Sequence, residues 1–398
     1  MTIQQYNFDE KIDRNKVTTL KFDSKTMLQV FGSAELWPSW VADMDFKAAT
    51  EIIESMKQRL NHGVFGYESG NDELSNAIVK WYQQRYGWNF TPSDIIFTPR
   101  TLNSLTVLVE LFSKTGDGVI IQSPVFYDFK LIIKSTKRKL IKNPLIFHDG
   151  KYEFDFEDLE AKAANPDNKL LILCNPHNPI GRCWNADELK QLSDICYRHQ
   201  VFIIADEIHG DLTYHKKYTP LASISEQAAA NSATCISPVK SFNLAGVANS
   251  MIVMADNDKR SLCANWYNQK ELNKNNIFTN AAMLAAYTDG ENWLDQVIQY
   301  LQGNLDVLRT FLQQNIPGIK LIEPDGTFLV WLDCNELGLD IKQLERFFID
   351  EALMAINPGH WFGREGAGFI RMNIACPRSV LIDALKQLEK AVLKLPTN

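Results

Sequence analysis

The 398-residue chain is short of positive charge: 41 Lys and Arg stand against 48 Asp and Glu, a formal net charge of −7. That balance lacks the basic face a nucleic-acid or anionic-membrane partner calls for, so neither partner is expected. No apolar run approaches the roughly 18 residues of a membrane helix. The polar, acid-bearing start, MTIQQYNFDEKIDRNK, is not that of a signal or transit peptide. The seven cysteines (Cys174, Cys183, Cys196, Cys235, Cys263, Cys334 and Cys376) are odd in number, scattered and without a CxxC pair. They read as thiols of a reducing, cytoplasmic compartment, not as a disulfide framework or a zinc site. The seven histidines hold no HExxH or comparable ligand spacing, so no metal centre is expected. Internal repeats and low-complexity segments are also missing. With 45% apolar and 22% charged residues, the chain reads as soluble and globular, long enough for two to three domains.

What is present is an alternation of short apolar runs and helical patterns. Ile95–Thr98, Gly118–Gln122, Leu170–Cys174, Val201–Ala205, Thr234–Ser237 and Ser250–Met254 are Ile- and Val-rich and bounded by Pro, Asn or Asp. Such runs suit strands buried on both faces. Between them, Asn71–Tyr86 places Leu74, Ala77, Ile78, Trp81 and Tyr82 on one helical face and stops at Gly87. Asn185 and Glu188 form a capping-box pattern ahead of Leu189, Leu192 and Cys196. The alternation predicts an α/β domain with a mostly parallel sheet.

Near residue 290 the pattern changes. A long helix carries Leu294, Ile298, Leu301, Leu305, Leu308 and Leu312 in a stripe. Short strands at Thr327–Leu332 and Gly368–Ala375 follow, then a terminal helix with Leu381, Leu385, Leu388 and Val392. We expect a large domain over residues 51–288, and a smaller α+β domain from 289–398 joined by 1–50, a stretch without a strand of the parallel type.

Five of the six runs end in polar chemistry: Pro99-Arg100-Thr101-Leu102-Asn103, Ser123-Pro124-Val125-Phe126-Tyr127, Asn175-Pro176-His177-Asn178-Pro179, Asp206-Glu207-Ile208-His209 and Pro238-Val239-Lys240. In an open α/β sheet, ligands bind beyond the carboxyl ends of the strands. A lysine, an acid, an amide, aromatics and a hydroxyl-bearing turn would therefore converge on one crevice. Pyridoxal 5′-phosphate wants that set. Its aldehyde needs a lysine, its ring nitrogen a carboxylate, its ring an aromatic face, and its phosphate backbone N–H groups and hydroxyls.

The segments NPHNPIGR, ADEIHGDL, SPVKSFNLAG and FIRMNIACPR resemble those of fold-type I pyridoxal-phosphate enzymes of the aminotransferase class I/II family. WVADMDF and GVFGYESGNDEL resemble its cystathionine β-lyase/C-S lyase branch, the MalY/PatB type. The resemblance runs from about Trp40 to Pro377 and implies the fold of that family.

It also implies roles. Lys240 would be the Schiff-base lysine and proton shuttle, and Asp206 the partner of the pyridinium nitrogen. His209 would stand beside the ring hydroxyl or its neighbouring acid, and Asn178 would bond that hydroxyl. Phe126 or Tyr127 would stack on the ring. Thr101 and Leu102 would offer N–H groups to the phosphate, and Ser237 a hydroxyl. Arg371 would hold the substrate α-carboxylate. Tyr67 would reach the phosphate of a neighbouring subunit, which implies a homodimer with shared sites. The segment Gly363-Arg364-Glu365-Gly366-Ala367-Gly368 lacks the GxGxxG order and precedes a strand, so it reads as a turn that places Arg371. Four residues depart from the patterns compared. Arg100-Thr101 stand where the branch usually has Gly-Val, and Val239 where it often has Ser. The aspartate aminotransferase pattern has an arginine where this chain has Ala248, which favours the C-S lyase branch.

The resulting expectation is β-elimination from an amino-acid substrate, L-cystathionine or another cysteine S-conjugate, to a thiol, pyruvate and ammonia. Transamination to a 2-oxo acid is the alternative with the same cofactor. A regulatory binding role on the same fold is the alternative of another class.

Overall fold

The computed structural model describes residues 4–68 and 72–396. Among them, seven strands form the main sheet: β1 (Ile95–Thr98), β2 (Gly118–Ile121), β3 (Lys139–Lys142), β4 (Asn168–Cys174), β5 (Phe202–Asp206), β6 (Ser232–Ile236) and β7 (Ser250–Val253). Their spatial order is β1-β7-β6-β5-β4-β2-β3. Neighbours are parallel except at β7, which runs antiparallel to both β1 and β6. The interior strands are buried apart from Lys169 near the start of β4, with Leu171, Ile172, Ile203, Ile204 and Cys235 fully inside. Helices cover both faces, which is why the runs are continuously apolar instead of alternating.

The helix Asp72–Tyr86 buries Leu74, Ala77, Ile78, Trp81 and Tyr82, as the periodicity predicts. Its expected first residue, Asn71, lies outside the described residues. Gly87 closes it at φ +67, where its N–H reaches Gln83. The capping box is formed as predicted: Asn185 Oδ1 accepts from the Glu188 N–H, and Glu188 Oε2 accepts from the Asn185 N–H, both at 2.9 Å.

A second sheet is built from β8 (Lys320–Ile322), β9 (Leu329–Asp333), β10 (Asn357–Pro358) and β11 (Phe369–Asn373), in the order β8-β9-β11-β10 and antiparallel throughout. The long helix Glu291–Asn315 and the terminal helix Arg378–Val392 pack on it through Leu305, Leu308, Leu312, Leu381, Leu385 and Leu388. One expectation needs correction. The first 50 residues do contain a strand of the parallel type: Trp37–Pro38 pairs in parallel with Met354–Ala355. Two residues, one of them proline, leave no periodicity to read. The same N-terminal stretch also sends Phe8, Met44 and Phe46 into a core shared with Leu74, Trp81 and Trp293.

Candidate active site

The carboxyl ends of β1, β2, β4, β5 and β6 lie along one edge of the main sheet, so the polar segments after them meet there. Asp206 is the last residue of β5, in register between Cys174 of β4 and Cys235 of β6. Those two thiols are buried, and burial raises their pKa, so they stay protonated beside the carboxylate. Asp206 itself is buried. The one hydrogen bond to its carboxylate among the described residues is a long one from the Ile208 N–H, at 3.5 Å. Burial lifts its pKa to about 7, against the opposing pull of that bond and of Lys240.

Lys240 sits in the four-residue helix Pro238–Ser241 directly after β6. Its Nζ donates to the carbonyl of Ala42 at 2.6 Å. Burial, and then the charge of Arg371, bring its pKa down to about 8, while Asp43 and Asp206 pull the other way.

Arg371, in the middle of β11, is 2% exposed. Nη1 donates to Asn178 Oδ1 at 3.0 Å, and Nη2 to the Trp40 carbonyl at 3.0 Å and Asn357 Oδ1 at 2.6 Å. Nε has no partner. The guanidinium lies 5.0 Å from the centre of the Phe362 ring, and burial lowers its pKa to about 10. The turn that delivers this strand is tightly wound, as the sequence predicts. A Cβ on Gly359 would fall 2.1 Å from the Gly366 carbonyl, and Gly368 adopts φ +81.

Asn178 is held from both sides. Its N–H donates to Cys174 Sγ at 3.3 Å, and its carbonyl accepts from the Phe126 N–H at 3.0 Å. This bond brings Phe126 and Tyr127, whose rings are 5.1 Å apart, to the Arg371 side of the crevice. His209 is buried, its Nδ1 without a partner among the described residues and its ring edge-on to Phe328 at 6.1 Å. Burial, then Lys240 and Arg371, hold its pKa well below the ordinary range, so the ring is neutral.

At the far corner, Thr101 and Leu102 open the helix Thr101–Phe112. Thr101 is buried with Oγ1 3.2 Å from Ser250 Oγ, and Leu102 is exposed. Ser237 Oγ already donates to the Asn249 carbonyl at 2.8 Å and accepts from Val239. Its single proton is therefore directed away from any anion until that bond is released. Arg100 is exposed and reaches the Ala245 carbonyl at 3.3 Å. Tyr67 is fully exposed and lines a groove with Arg59, His62 and Asn280, apart from Lys240, Asp206 and Arg371. Within one chain the structure does not bring it to the others.

Sequence reasoning missed the wall opposite the sheet. The segment Trp40–Phe46 supplies the carbonyls that face Arg371 and Lys240. Asn243 ties it down, donating to the Met44 and Phe46 carbonyls and accepting from the Met44 N–H, each at 2.9 Å. Asn373 does the same to Val41 and Asp43. Arg14 and Lys21 clamp its acids: Arg14 lies 2.7 Å from both Asp43 and Asp45, and Lys21, 1% exposed, lies 2.8 Å from Asp45. The motif WVADMDF was the signal available for this wall, but it announces acids, whereas the contacts to the site are made by backbone.

Lys240, Asp206 and Arg371 thus share one buried crevice, and none of them makes an ion pair within 4.0 Å among the described residues. The sequence profile of aminotransferase class I and II matches residues 41–388. The chain belongs to that family. Within it, the chain is 38% identical to cystathionine β-lyase PatB of Bacillus subtilis over 97% of its own length and all of that protein. It is 32% identical to protein MalY of Escherichia coli, over 97% of this chain and 99% of that one. Cystalysin from Treponema denticola, whose crystal structure contains a pyridoxal 5′-phosphate cofactor, superposes with a TM-score of 0.95 at 35% identity, covering 99% of this chain and all of the other. Family membership accounts for the mixed sheet: the fold is that of the fold-type I enzymes, an α/β architecture in which the crevice lies at the strand ends.

Proposed function

We propose that this protein is a pyridoxal 5′-phosphate-dependent C-S β-lyase that converts L-cystathionine or related cysteine S-conjugates to a thiol, pyruvate and ammonia. One observation carries the reading from geometry. Three ionisable side chains, Lys240, Asp206 and Arg371, lie buried together at the strand ends, and among the described residues none of them makes an ion pair. A buried charge without a partner is unfavourable unless a ligand completes it. A group with a protonated ring nitrogen and an aldehyde, together with an α-carboxylate, completes all three.

The residues fit the cofactor. Asp206 would pair with its ring nitrogen and Lys240 with its aldehyde. Asn178 and neutral His209 would stand at the ring hydroxyl, and Phe126 would stack on the ring. Thr101, Leu102 and Ser237 would meet the phosphate. When bound, the cofactor supplies an acceptor for the electron pair released at the substrate Cα. Arg371 binds the α-carboxylate with the N–H groups that Asn178, Trp40 and Asn357 leave free, and those three fix the plane of the guanidinium. Lys240, with a pKa near 8, is partly neutral at neutral pH. It can take the Cα proton and return one to the departing sulfur. Asp206 keeps its charge by pairing with the ring, which offsets the penalty of its burial.

The same reading makes the enzyme a cytoplasmic homodimer, with Tyr67 of each chain completing the phosphate site of its partner. The exposure of Tyr67 and the seven free, buried thiols support it. Among the described residues, no helix is long and apolar enough to cross a membrane. It also divides the chain into a cofactor domain at 51–288 and a smaller unit from 1–50 and 289–398. The two separate sheets and the pairing of Trp37–Pro38 with Met354–Ala355 support that division.

The test is incubation with L-cystathionine in the absence of any 2-oxo acid. Pyruvate and thiol should appear in equal amounts. Amino transfer to an added 2-oxo acid, with no thiol released, would overturn the lyase reading.

A further inference from the structure

Asp211 has no role in the scheme above, although it lies in ADEIHGDL, five residues beyond Asp206. Its carboxylate is buried and gathers three hydrogen bonds from two parts of the chain. Trp81 Nε1 donates at 2.9 Å and Tyr86 OH at 2.6 Å, both to Oδ1, and Ser241 Oγ donates to Oδ2 at 2.7 Å. The nearby Arg85 makes no direct ion pair with it: that guanidinium feels the charge of Asp211, but its ion pairs are to Glu291 and Asp295 at 2.9 and 3.0 Å. A buried carboxylate held by neutral donors alone is costly to keep, so the contacts it fixes matter.

Ser241 is the covalent neighbour of Lys240 and the last residue of the helix Pro238–Ser241. That helix is a single turn, too short to hold its own geometry. It is pinned at its start by the Ser237 cap and beyond its end by Asn243, which grips the Met44–Phe46 segment at φ +56. Between those two pins, the side chain of Ser241 ties the helix to Asp211.

We propose that Asp211 is a positioning residue for Lys240: through Ser241 it holds the one-turn helix so that the amine faces the crevice. The inference rests on the reading of Lys240 as the cofactor-binding amine.

Three variants test it. Ser241→Ala removes the tether and leaves Asp211 its other two donors. Trp81→Phe removes a donor from the same carboxylate and leaves the tether intact. Asp211→Asn can restore the tether in reverse, with the amide donating to the serine oxygen. Two quantities are read: the rate at which apoprotein attaches pyridoxal 5′-phosphate, and the pH midpoint of the absorbance of the attached cofactor. Kinetics on L-cystathionine give kcat and KM. Ser241→Ala should slow attachment and lower kcat by about tenfold with KM little changed, well inside the ~100-fold that a misplacement of an ångström can bring. Its midpoint should move by about half a unit. Trp81→Phe should lower thermal stability and leave attachment rate and midpoint at the wild-type values, and Asp211→Asn should sit closer to wild type than Ser241→Ala. A Ser241→Ala protein matching wild type in both readings would overturn the positioning role alone, as would equal shifts in Ser241→Ala and Trp81→Phe. A wild-type protein that attaches no cofactor would overturn the function reading and this inference with it.

Discussion

The amine of Lys240 donates a 2.6 Å hydrogen bond to the carbonyl of Ala42, 198 positions earlier in the chain. A backbone carbonyl is an acceptor that carries no full charge, so it orients the amine without holding it protonated. Burial and the nearby Arg371 set the pKa near 8. The neutral, nucleophilic fraction therefore grows as pH rises through 8 and is complete above it. Attachment of pyridoxal 5′-phosphate to apoprotein, followed by absorbance, should accelerate over that range and then level off. Arg371→Met removes a positive charge that disfavours the ammonium, so its profile should move to higher pH. Lys240→Ala should lose both the attached-cofactor absorbance and all turnover.

Asp206 yields a prediction for the apoprotein. Its carboxyl titrates near 7 when folded and near the ordinary value of 3.8 when unfolded. Between those values the folded chain holds the proton and the unfolded chain does not. The contribution to stability is thus present in full below about pH 4 and is lost as pH rises through 7. Thermal melts of cofactor-free Asp206→Asn should be flatter across that interval than wild type, with a higher melting temperature at pH 8. Once the cofactor is present the order should reverse, because only the carboxylate pairs with a protonated ring nitrogen.

Arg371 makes its three bonds in one plane, and a lysine cannot reproduce them. Arg371→Lys should lower kcat/KM on L-cystathionine by about 100-fold, equivalent to about 2.7 kcal/mol of transition-state binding. Most of the loss should fall on KM, since the α-carboxylate is bound before and during reaction alike. Steady-state kinetics separate the two.

The clamp on the Trp40–Phe46 wall should be sensitive to a single deletion of charge. Lys21→Met leaves Asp43 and Asp45 to Arg14 alone, at a position where the lysine is almost fully enclosed. Lys21 is enclosed, but Asp43 and Asp45 are half-buried and keep Arg14, so losing its bonds to them should cost about 1–3 kcal/mol. The urea midpoint should fall accordingly, with little dependence on ionic strength, and KM should rise because the carbonyls of Trp40 and Ala42 ride on the same segment.

Local elements were legible because local chemistry decides them. The helix ending at Gly87, the Asn185–Glu188 capping box and the six apolar runs each follow from spacing over about sixteen residues or fewer. The polar ends of those runs were legible for the same reason, and the family resemblance then singled out Lys240, Asp206 and Asn178 there and Arg371 on its separate strand. What escaped was long-range. The direction of β7 cannot be read from Ser250–Val253, because a strand buried on both faces has the same pattern whichever way it runs. The bond from Arg371 to Asn357 joins residues on neighbouring strands whose register no periodicity announces. The carbonyls of Trp40 and Ala42 belong to every residue type alike. Ser241 and Asp211 looked like ordinary polar residues until their 2.7 Å bond placed them under the lysine.

The bond from Ser39 Oγ to the Asn373 carbonyl spans 334 residues, and the one from Arg371 to Trp40 spans 331. Contacts so distant in sequence close late in folding, after the local structure has formed. During synthesis, the sheet with Asp206 and Lys240 can be complete while residue 371 is still to be added. Until then the Trp40–Phe46 wall lacks half of its anchors, and the nascent crevice stays open to water on that side. A ribosome-bound chain stalled before β11 should therefore contain the lysine but lack the arginine, and the crevice would reach its final form only on release.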